Sequence, residues 1–438
     1  MKMATMLNKT EYPSIGETLW TGVLPNGLSV FIVPKKGFRS CYALFGTHYG
    51  GAMRHFELEG SVCETPEGIA HYLEHKMFDM PEGENALSVL SENGADPNAF
   101  TSTDMTCYYF SCTSRFEENL RMLLKFVSTP YFTVESVEKE RGIITQEILM
   151  GEDSPPRKIY QNLLSLLYSR EEITGQVAGT VDSIQRITAD LLRDCHKVFY
   201  APSNMALCVE GDVDPEAVCR IAEEILPAEK QAVPCALFGE HEGMLPLKLR
   251  VEQEMPIAMP EFLIGAKDYD IPVSENGDAH DRIFRRLVSS LALRLLCGTS
   301  SPFYMKLYSE GLITHSFDYD TDFAADTVTV IIGGESGDPD AVLDALNKEV
   351  AAISEKGFDR KRFDIAKKSL IGSRLRSLED FESVCTNLFG DWVDGFCCPD
   401  ASPILQEVRC EDCDAWVREI LAPERLAISV LRPSAVNV

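Results

Sequence analysis

Between Glu64 and Gly83 the chain reads ETPEGIAHYLEHKMFDMPEG, which places His71 and His75 four positions apart with Glu74 directly before the second histidine. In a helix each residue turns by about 100°, so positions four apart lie about 40° from one another on one face. That spacing can bring two imidazole nitrogens to one zinc ion at ~2.0–2.1 Å. Glu74 shares this side, where its carboxylate can reach a water beside the metal and act as general base. In a chain of this composition HxxEH arises by chance about 0.02 times, so the arrangement is read as a signal rather than as a surface helix that happens to carry two histidines. Thr65 suits the N-cap and Pro66 the first helical position, and the helix is expected to begin there.

Two histidines leave a catalytic zinc one protein ligand short, and a carboxylate from another helix would complete a His₂Glu set with one position open. The segment TVESVEKERGIITQEILMG, opened by Thr133 as N-cap, carries Glu140 and Glu147 seven positions apart, two turns along one face. Glu147 is flanked by Ile143, Ile144 and Ile148. Its carboxylate is therefore a candidate for partial burial beside a partner, with a solvated helix face as the alternative that spacing alone leaves open. His48 and His55, the nearest further histidines, are read as ordinary strand or loop residues. His196 falls in an apolar helical stretch, and His241, His280 and His315 fall in polar surroundings.

The elements that must position these groups come from the rest of the 438 residues, long enough for two to four domains. Lys and Arg number 41 against 68 Asp and Glu, a net charge of −27, which repels phosphate backbones and anionic lipid and argues against nucleic-acid and membrane-surface functions. The amino terminus lacks a signal-peptide apolar core, and no run of ~18 apolar residues occurs. Fourteen cysteines scattered through apolar runs read as buried thiols of a reducing cytoplasm rather than as disulfides, and the single CxxC, Cys410 to Cys413, has no second pair at zinc-finger spacing.

Prolines from Pro227 to Pro260 punctuate a stretch without sustained periodicity. It divides the chain into an N-terminal domain at 1–228 that carries the motif, a linker at 229–258 and a C-terminal domain of similar fold at 259–438 that carries no metal motif. The halves echo one another. The alternating strand TCYYFSC (106–112) leads to an amphipathic helix at 116–127, as TVTVII (327–332) leads through a turn at Gly333 and Gly334 to a helix at 340–352. FYAPSNMALCVEGDV closes one half and LAPERLAISVLRP the other. The expected class is α+β: two homologous halves, each a mostly antiparallel sheet covered by helices on one face.

These residues resemble the pitrilysin, insulysin and mitochondrial processing peptidase family, closest to its bacterial YmfH-like subgroup of short, two-domain members. HxxEH is that family's inverted zinc-peptidase signature, and 71 residues separate His75 from Glu147 in ERGIITQE, as in the family pattern. The resemblance implies the mitochondrial processing peptidase-like metallohydrolase fold, with one Zn²⁺ per chain held by His71, His75 and Glu147. It makes Glu74 the catalytic base and Glu140 a supporting acid. NGADPNAFTSTDMTCYYF resembles the family's strand beside the metal, so Asn98, Ala99 and Phe100 are the implied substrate-binding positions. The implied activity is zinc endopeptidase cleavage of extended, unfolded peptides in processing or maturation.

Many family members carry an Arg and a Tyr in the second half that hold the substrate, but in FYMKLYSEGLITHSF Leu307 and Thr314 occupy those places. The implied partner is a sister subunit of the same fold that supplies the pair in a heterodimer, with a homodimer as the other arrangement. The competing functions are a noncatalytic scaffold or assembly subunit and a peptide-binding module that keeps the fold.

Overall fold

The computed structural model describes residues 7–434 other than 241, 274–277 and 325; His241 lies outside them. In chain order the strands are β1 Asn8–Tyr12, β2 Glu17–Val23, β3 Ser29–Pro34, β4 Cys41–Thr47, β5 His55–Leu58, β6 Ser61–Glu64, β7 Ala95–Thr101, β8 Thr106–Cys112, β9 Met205–Gly211, β10 Cys235–Ala236, β11 Arg250–Met255, β12 Glu261–Asp268, β13 Asp318–Ala324, β14 Thr327–Glu335 and β15 Ala427–Pro433. A seven-stranded sheet runs β1-β2-β3-β9-β4-β8-β7, a five-stranded sheet runs β11-β15-β12-β14-β13, and β10-β5-β6 form a small third sheet.

The duplication read from the sequence reappears as topology. In the large sheet β3 pairs parallel with β9, which is followed by antiparallel β4, β8 and β7; in the five-stranded sheet β11 pairs parallel with β15, followed by antiparallel β12, β14 and β13. The strands predicted at 106–112 and 327–332 form as β8 and β14, and helices follow at Phe116–Ser128 and Pro339–Lys356. Three details differ from expectation. Gly333 and Gly334 make no turn but extend β14, pairing with Leu263 and Phe262. Arg250–Met255, inside the aperiodic stretch, is a strand, because its order comes from the ladder with β15 rather than from its own pattern.

The third difference is in how the large sheet is covered. β4 and β9 are buried at every residue, the mark of a strand enclosed on both faces. Ala43 and Phe45 face one core with Ile69, Tyr72 and Leu73, while Tyr42 and Leu44 face another with Phe381, Leu388 and Phe389. The sheet is therefore covered on two faces, not one.

The chain forms two compact units, and both are discontinuous in sequence. One takes the chain through Ile148, Gly175–Phe238 and Leu375–Asp400; the other takes Leu149–Thr174, Gly239–Arg374 and Ala401–Val438. These units cross the boundaries drawn at 228 and 259. Helix Pro155–Leu167 lies against β12 and β15, with Leu163 over Gly265 and Ile159 against Met255 and Leu431. Helix Phe381–Val393, late in the sequence, closes the large sheet. Each sheet thus receives a helix from the other half of the sequence.

Candidate metal centre and active site

The motif helix spans Ile69–Met77 and buries Ile69, Ala70, Tyr72, Leu73 and Met77. It starts later than the sequence implies. Thr65 spends both its N–H and its hydroxyl on the Arg54 carbonyl, at 2.9 and 3.3 Å, and so caps nothing. The N-cap is Gly68, held left-handed at φ 89° with its backbone against Ala178; a Cβ there would come within 2.5 Å of the Ala178 oxygen. Only glycine fits that entry without strain.

The second helix spans Val134–Glu152. Thr133 caps it as expected, its hydroxyl accepting from the Ser136 N–H at 3.1 Å, while the Ser136 hydroxyl accepts in return from the Thr133 N–H at 3.3 Å. Val137, Ile144 and Ile148 are buried beneath it, whereas Ile143 is exposed. The Tyr72 hydroxyl donates to the Val137 carbonyl and ties the two helices together. Arg141 donates to the carbonyls of Ile184 and Ile187, fixing the helix from its other side.

These constraints bring His71, His75 and Glu147 together, with one donor atom from each within 4.8 Å of the others. His71 Nε2 lies 3.4 Å from Glu147 Oε1, and His75 Nε2 lies 3.5 Å from Glu147 Oε2. Donors on a tetrahedral zinc with ~2.05 Å bonds stand about 3.3 Å apart, so the separations suit the ion. The donor chemistry, two imidazoles and a carboxylate, suits it as well. Glu147 is about half exposed at this point, so its carboxylate stands at the open side of the cluster rather than sealed within it. His48 and His55 are not members of the cluster: His48 packs edge-on to Trp392, and His55 lies in β5 beside Glu64.

Glu140 sits one shell out. Its Oε1 is 3.0 Å from His75 Nδ1, which fixes the ring so that Nε2 faces Glu147; a carboxylate behind a ligating histidine is the usual way of setting its orientation and basicity. The His75 hydrogen bond, above all, holds the Glu140 carboxyl below the ordinary range. Burial presses His75 down, but the Glu140 hydrogen bond and the charges of Glu74, Glu140 and Glu147 outweigh it and raise the imidazole overall.

Glu74 is 7% exposed and takes no part in the donor cluster. One of its oxygens, Oε2, accepts from Thr101 Oγ1 at 2.5 Å. Thr106 stands behind Thr101 at 3.3 Å and is itself anchored on the Tyr49 carbonyl at 2.8 Å. Thr101 ends β7, the edge strand of the large sheet. Asn98, Ala99 and Phe100 lie on the same strand, paired to Tyr109, Tyr108 and Cys107 of β8. The Ala99 N–H is covered by its neighbour's side chain, Asn98 Oδ1, at 2.9 Å. Nothing in the sequence alone assigns Thr101 a role; the signal it offers is a hydroxyl one residue beyond the expected substrate-strand positions.

Among the described residues no helix is long and apolar enough to cross a membrane. The fourteen cysteines are free thiols and most are buried. Cys410 and Cys413 sit in the core, where burial pushes both thiols up.

The two-unit fold and the donor set define a class, and comparison with known proteins identifies it. The model of the insulinase domain, peptidase family M16, matches residues 59–181 and that of the peptidase M16 inactive domain matches residues 186–370; the chain belongs to this family. It is 33% identical to a Bacillus subtilis protein named as the uncharacterized zinc protease YmfH, over 98% of this chain and 100% of that one. The crystal structure of an M16-like peptidase from Alicyclobacillus acidocaldarius superposes with a TM-score of 0.90 at 32% identity, covering 97% of this chain and 100% of the other. The periplasmic protease PqqL of Escherichia coli shares the fold at a TM-score of 0.73 and 19% identity, and there 95% of this chain matches 48% of a longer one.

Proposed function

We propose that this chain is a zinc-dependent endopeptidase acting on extended, unfolded peptides. The observation that carries the reading is the convergence of His71, His75 and Glu147 on one point, with Glu74 alongside but outside the donor set. Zinc held by the three ligands would polarise a peptide carbonyl and acidify a water at the open position. Glu74 takes the proton of the attacking water and delivers it to the leaving amine. Thr101 immobilises one Glu74 oxygen and leaves the other for that transfer. Glu140 keeps the His75 ring turned. The peptide backbone adds to the free edge of β7, displacing Asn98 from the Ala99 N–H, so main-chain hydrogen bonds supply affinity.

The chain works as the catalytic member of a pair. Leu307 is buried and the Thr314 hydroxyl is engaged by Ser316 and Glu335, so neither offers the substrate-holding Arg and Tyr that the family uses. A sister subunit provides them, in keeping with a PqqL chain long enough to hold this fold and as much again. The test is zinc per chain by plasma emission, with cleavage of an unfolded peptide mixture, for wild type, Glu74→Gln and Glu147→Ala. Wild type and Glu74→Gln should hold about one zinc, Glu147→Ala little, and only wild type should cut. A wild type that holds no zinc would defeat the reading; full activity of the single chain would defeat the pairing.

A further inference from the structure

In the large sheet β3 pairs parallel with β9, and β2 and β1 cover its outer side. In the five-stranded sheet the corresponding strand is β11, and among the described residues no strand lies beyond it. The duplication thus leaves bare an edge that is covered in its twin. The Leu249 carbonyl accepts from the Ile428 N–H at 2.9 Å, and the Met255 carbonyl accepts from the Ser434 N–H at 2.8 Å. Backbone groups alternate along a strand, so Leu249, Val251, Gln253 and Met255 direct theirs to β15 while those of Arg250, Glu252 and Glu254 point outward. A row of free N–H and C=O groups is a template for a further strand.

The sequence along this edge is complementary to itself. Read outward from Glu252 in LPLKLRVEQEMPIAM (245–259), Arg250 mirrors Glu254, Leu249 mirrors Met255, Leu247 mirrors Ile257 and Leu245 mirrors Met259. Two copies of β11 laid antiparallel about Glu252 therefore place opposite charges across the ladder twice, with apolar residues beyond them. Glu254 is exposed and has no partner among the described residues. Arg250 bonds Glu252 and Asp340 and keeps one guanidinium N–H over. Glu252 would face its own copy, and like charges directly opposite destabilise a ladder. Each Glu252, however, carries its own cations, with Arg250 Nε at 2.7 Å and Arg432 Nε at 2.6 Å. Leu245, Leu247 and Leu249 are 59, 52 and 61% exposed at the head of the bare strand. Antiparallel pairing carries them towards the other end of the second copy's strand, beyond which Met259 is 39% exposed.

We infer that β11 is a self-association surface, through which two copies of this chain pair antiparallel about a two-fold axis at Glu252 and join their five-stranded sheets into one. The pairs Arg250 to Glu254, Glu252 to Glu252 and Glu254 to Arg250 exchange about six main-chain hydrogen bonds. The contact is isologous, so it closes at two copies and does not propagate. A second copy brings the same Leu307 and Thr314. This pairing is therefore separate from the sister subunit proposed above, and it does not depend on the peptidase reading.

The test is sedimentation velocity of the purified full chain, where wild type should pass from one chain to two with a Kd on the order of micromolar. Glu254→Pro deletes an outward N–H together with the carboxylate that meets Arg250. Proline is tolerated on an edge strand whose N–H faces solvent, so the melting temperature should hold while Kd rises at least about tenfold. Cysteine cross-linking reads the register. Residues that face themselves across the axis stand about 5.5 Å apart between Cα atoms, within disulfide reach, so Glu252→Cys treated with diamide should give a reducible two-chain band. In Glu254→Cys the same atoms stand about 14 Å apart, and the band should not exceed that of wild type. Equal cross-linking of the two variants, or a dimer that Glu254→Pro leaves intact, overturns the inference. A wild type that stays a single chain up to about 100 times that micromolar Kd overturns it as well and leaves the edge to a strand of another protein.

Discussion

Replacing Thr101 by valine removes one hydroxyl and keeps the β-branched shape that β7 requires, so the perturbation is confined to Glu74. The lost bond is a 2.5 Å donation to a carboxylate only 7% exposed. Thr106 cannot take over, because its own hydroxyl is engaged by the Tyr49 carbonyl. Hydrogen bonds to charged groups contribute about 1.5–3 kcal/mol, and burial places this one in the upper part of that range because water cannot readily replace the donor. Two to three kcal/mol corresponds to a fall in kcat of about 30- to 150-fold. The zinc ligands are untouched, so metal content should stay at one per chain and KM should change little, while Thr101→Ser should restore most of the rate. Steady-state cleavage of a fluorogenic unfolded peptide, with plasma emission on the same samples, reads all three quantities. A valine variant within about threefold of wild type would refute the positioning role, and loss of zinc would mean that Thr101 supports the metal site instead.

Glu140→Gln keeps a partner for His75 Nδ1 but removes its charge, so zinc affinity measured by chelator competition should fall about 10- to 100-fold, less than in Glu147→Ala; equal losses would mean the two acids have exchanged roles. A separate prediction concerns pH. His196, buried with its ring bonded to the Val127 carbonyl at 2.9 Å, is pushed by burial from 6.5 down to about 4. Between those values the unfolded chain binds a proton that the folded chain refuses, so stability is complete above 6.5 and falls as pH drops towards 4. From pH 7.5 to 4.5 the loss should be about 2.5 kcal/mol. Urea unfolding of zinc-free protein at both pH values should show wild type losing that much more than His196→Gln, and parallel losses would clear His196 of the effect.

What the sequence disclosed was local chemistry and local period. HxxEH and the TCYYFSC strand could be placed to the residue because a four-residue helical repeat and a two-residue strand repeat are written in neighbouring positions. Glu147 was legible only in part: seven-residue spacing puts it on a face with Glu140, but nothing in that spacing says the face meets His71. The start of the motif helix was misread because Thr65 has an ordinary capping chemistry that the fold spends on Arg54, while the working cap depends on Gly68 lying against Ala178, more than a hundred positions away. Thr101 escaped for the same reason, since its role exists only once β7 and the motif helix are side by side.

The exchange of helices between the two halves had no local signature at all, and it decides where the chain can be cut. Phe381, Cys385, Leu388 and Phe389 are buried on the large sheet against Tyr42, Leu44 and Cys107. The contact is so close that a Cβ on Gly46 would come within 2.7 Å of the Phe389 ring. Burying a Phe or Leu side chain is worth about 1.5–3 kcal/mol, so Phe381, Leu388 and Phe389 alone contribute about 5–9 kcal/mol, comparable with the whole 5–15 kcal/mol that keeps a typical protein folded. A fragment ending at residue 228 contains the complete zinc motif yet leaves this face bare. It should therefore be insoluble or molten, with weak near-ultraviolet dichroism, and should regain order when a peptide spanning residues 375–400 is added in trans. A fragment 1–228 that folds cooperatively by itself would show that the second face of the sheet needs no cover, and that the exchanged helix is an accessory to the zinc-bearing unit rather than part of its core.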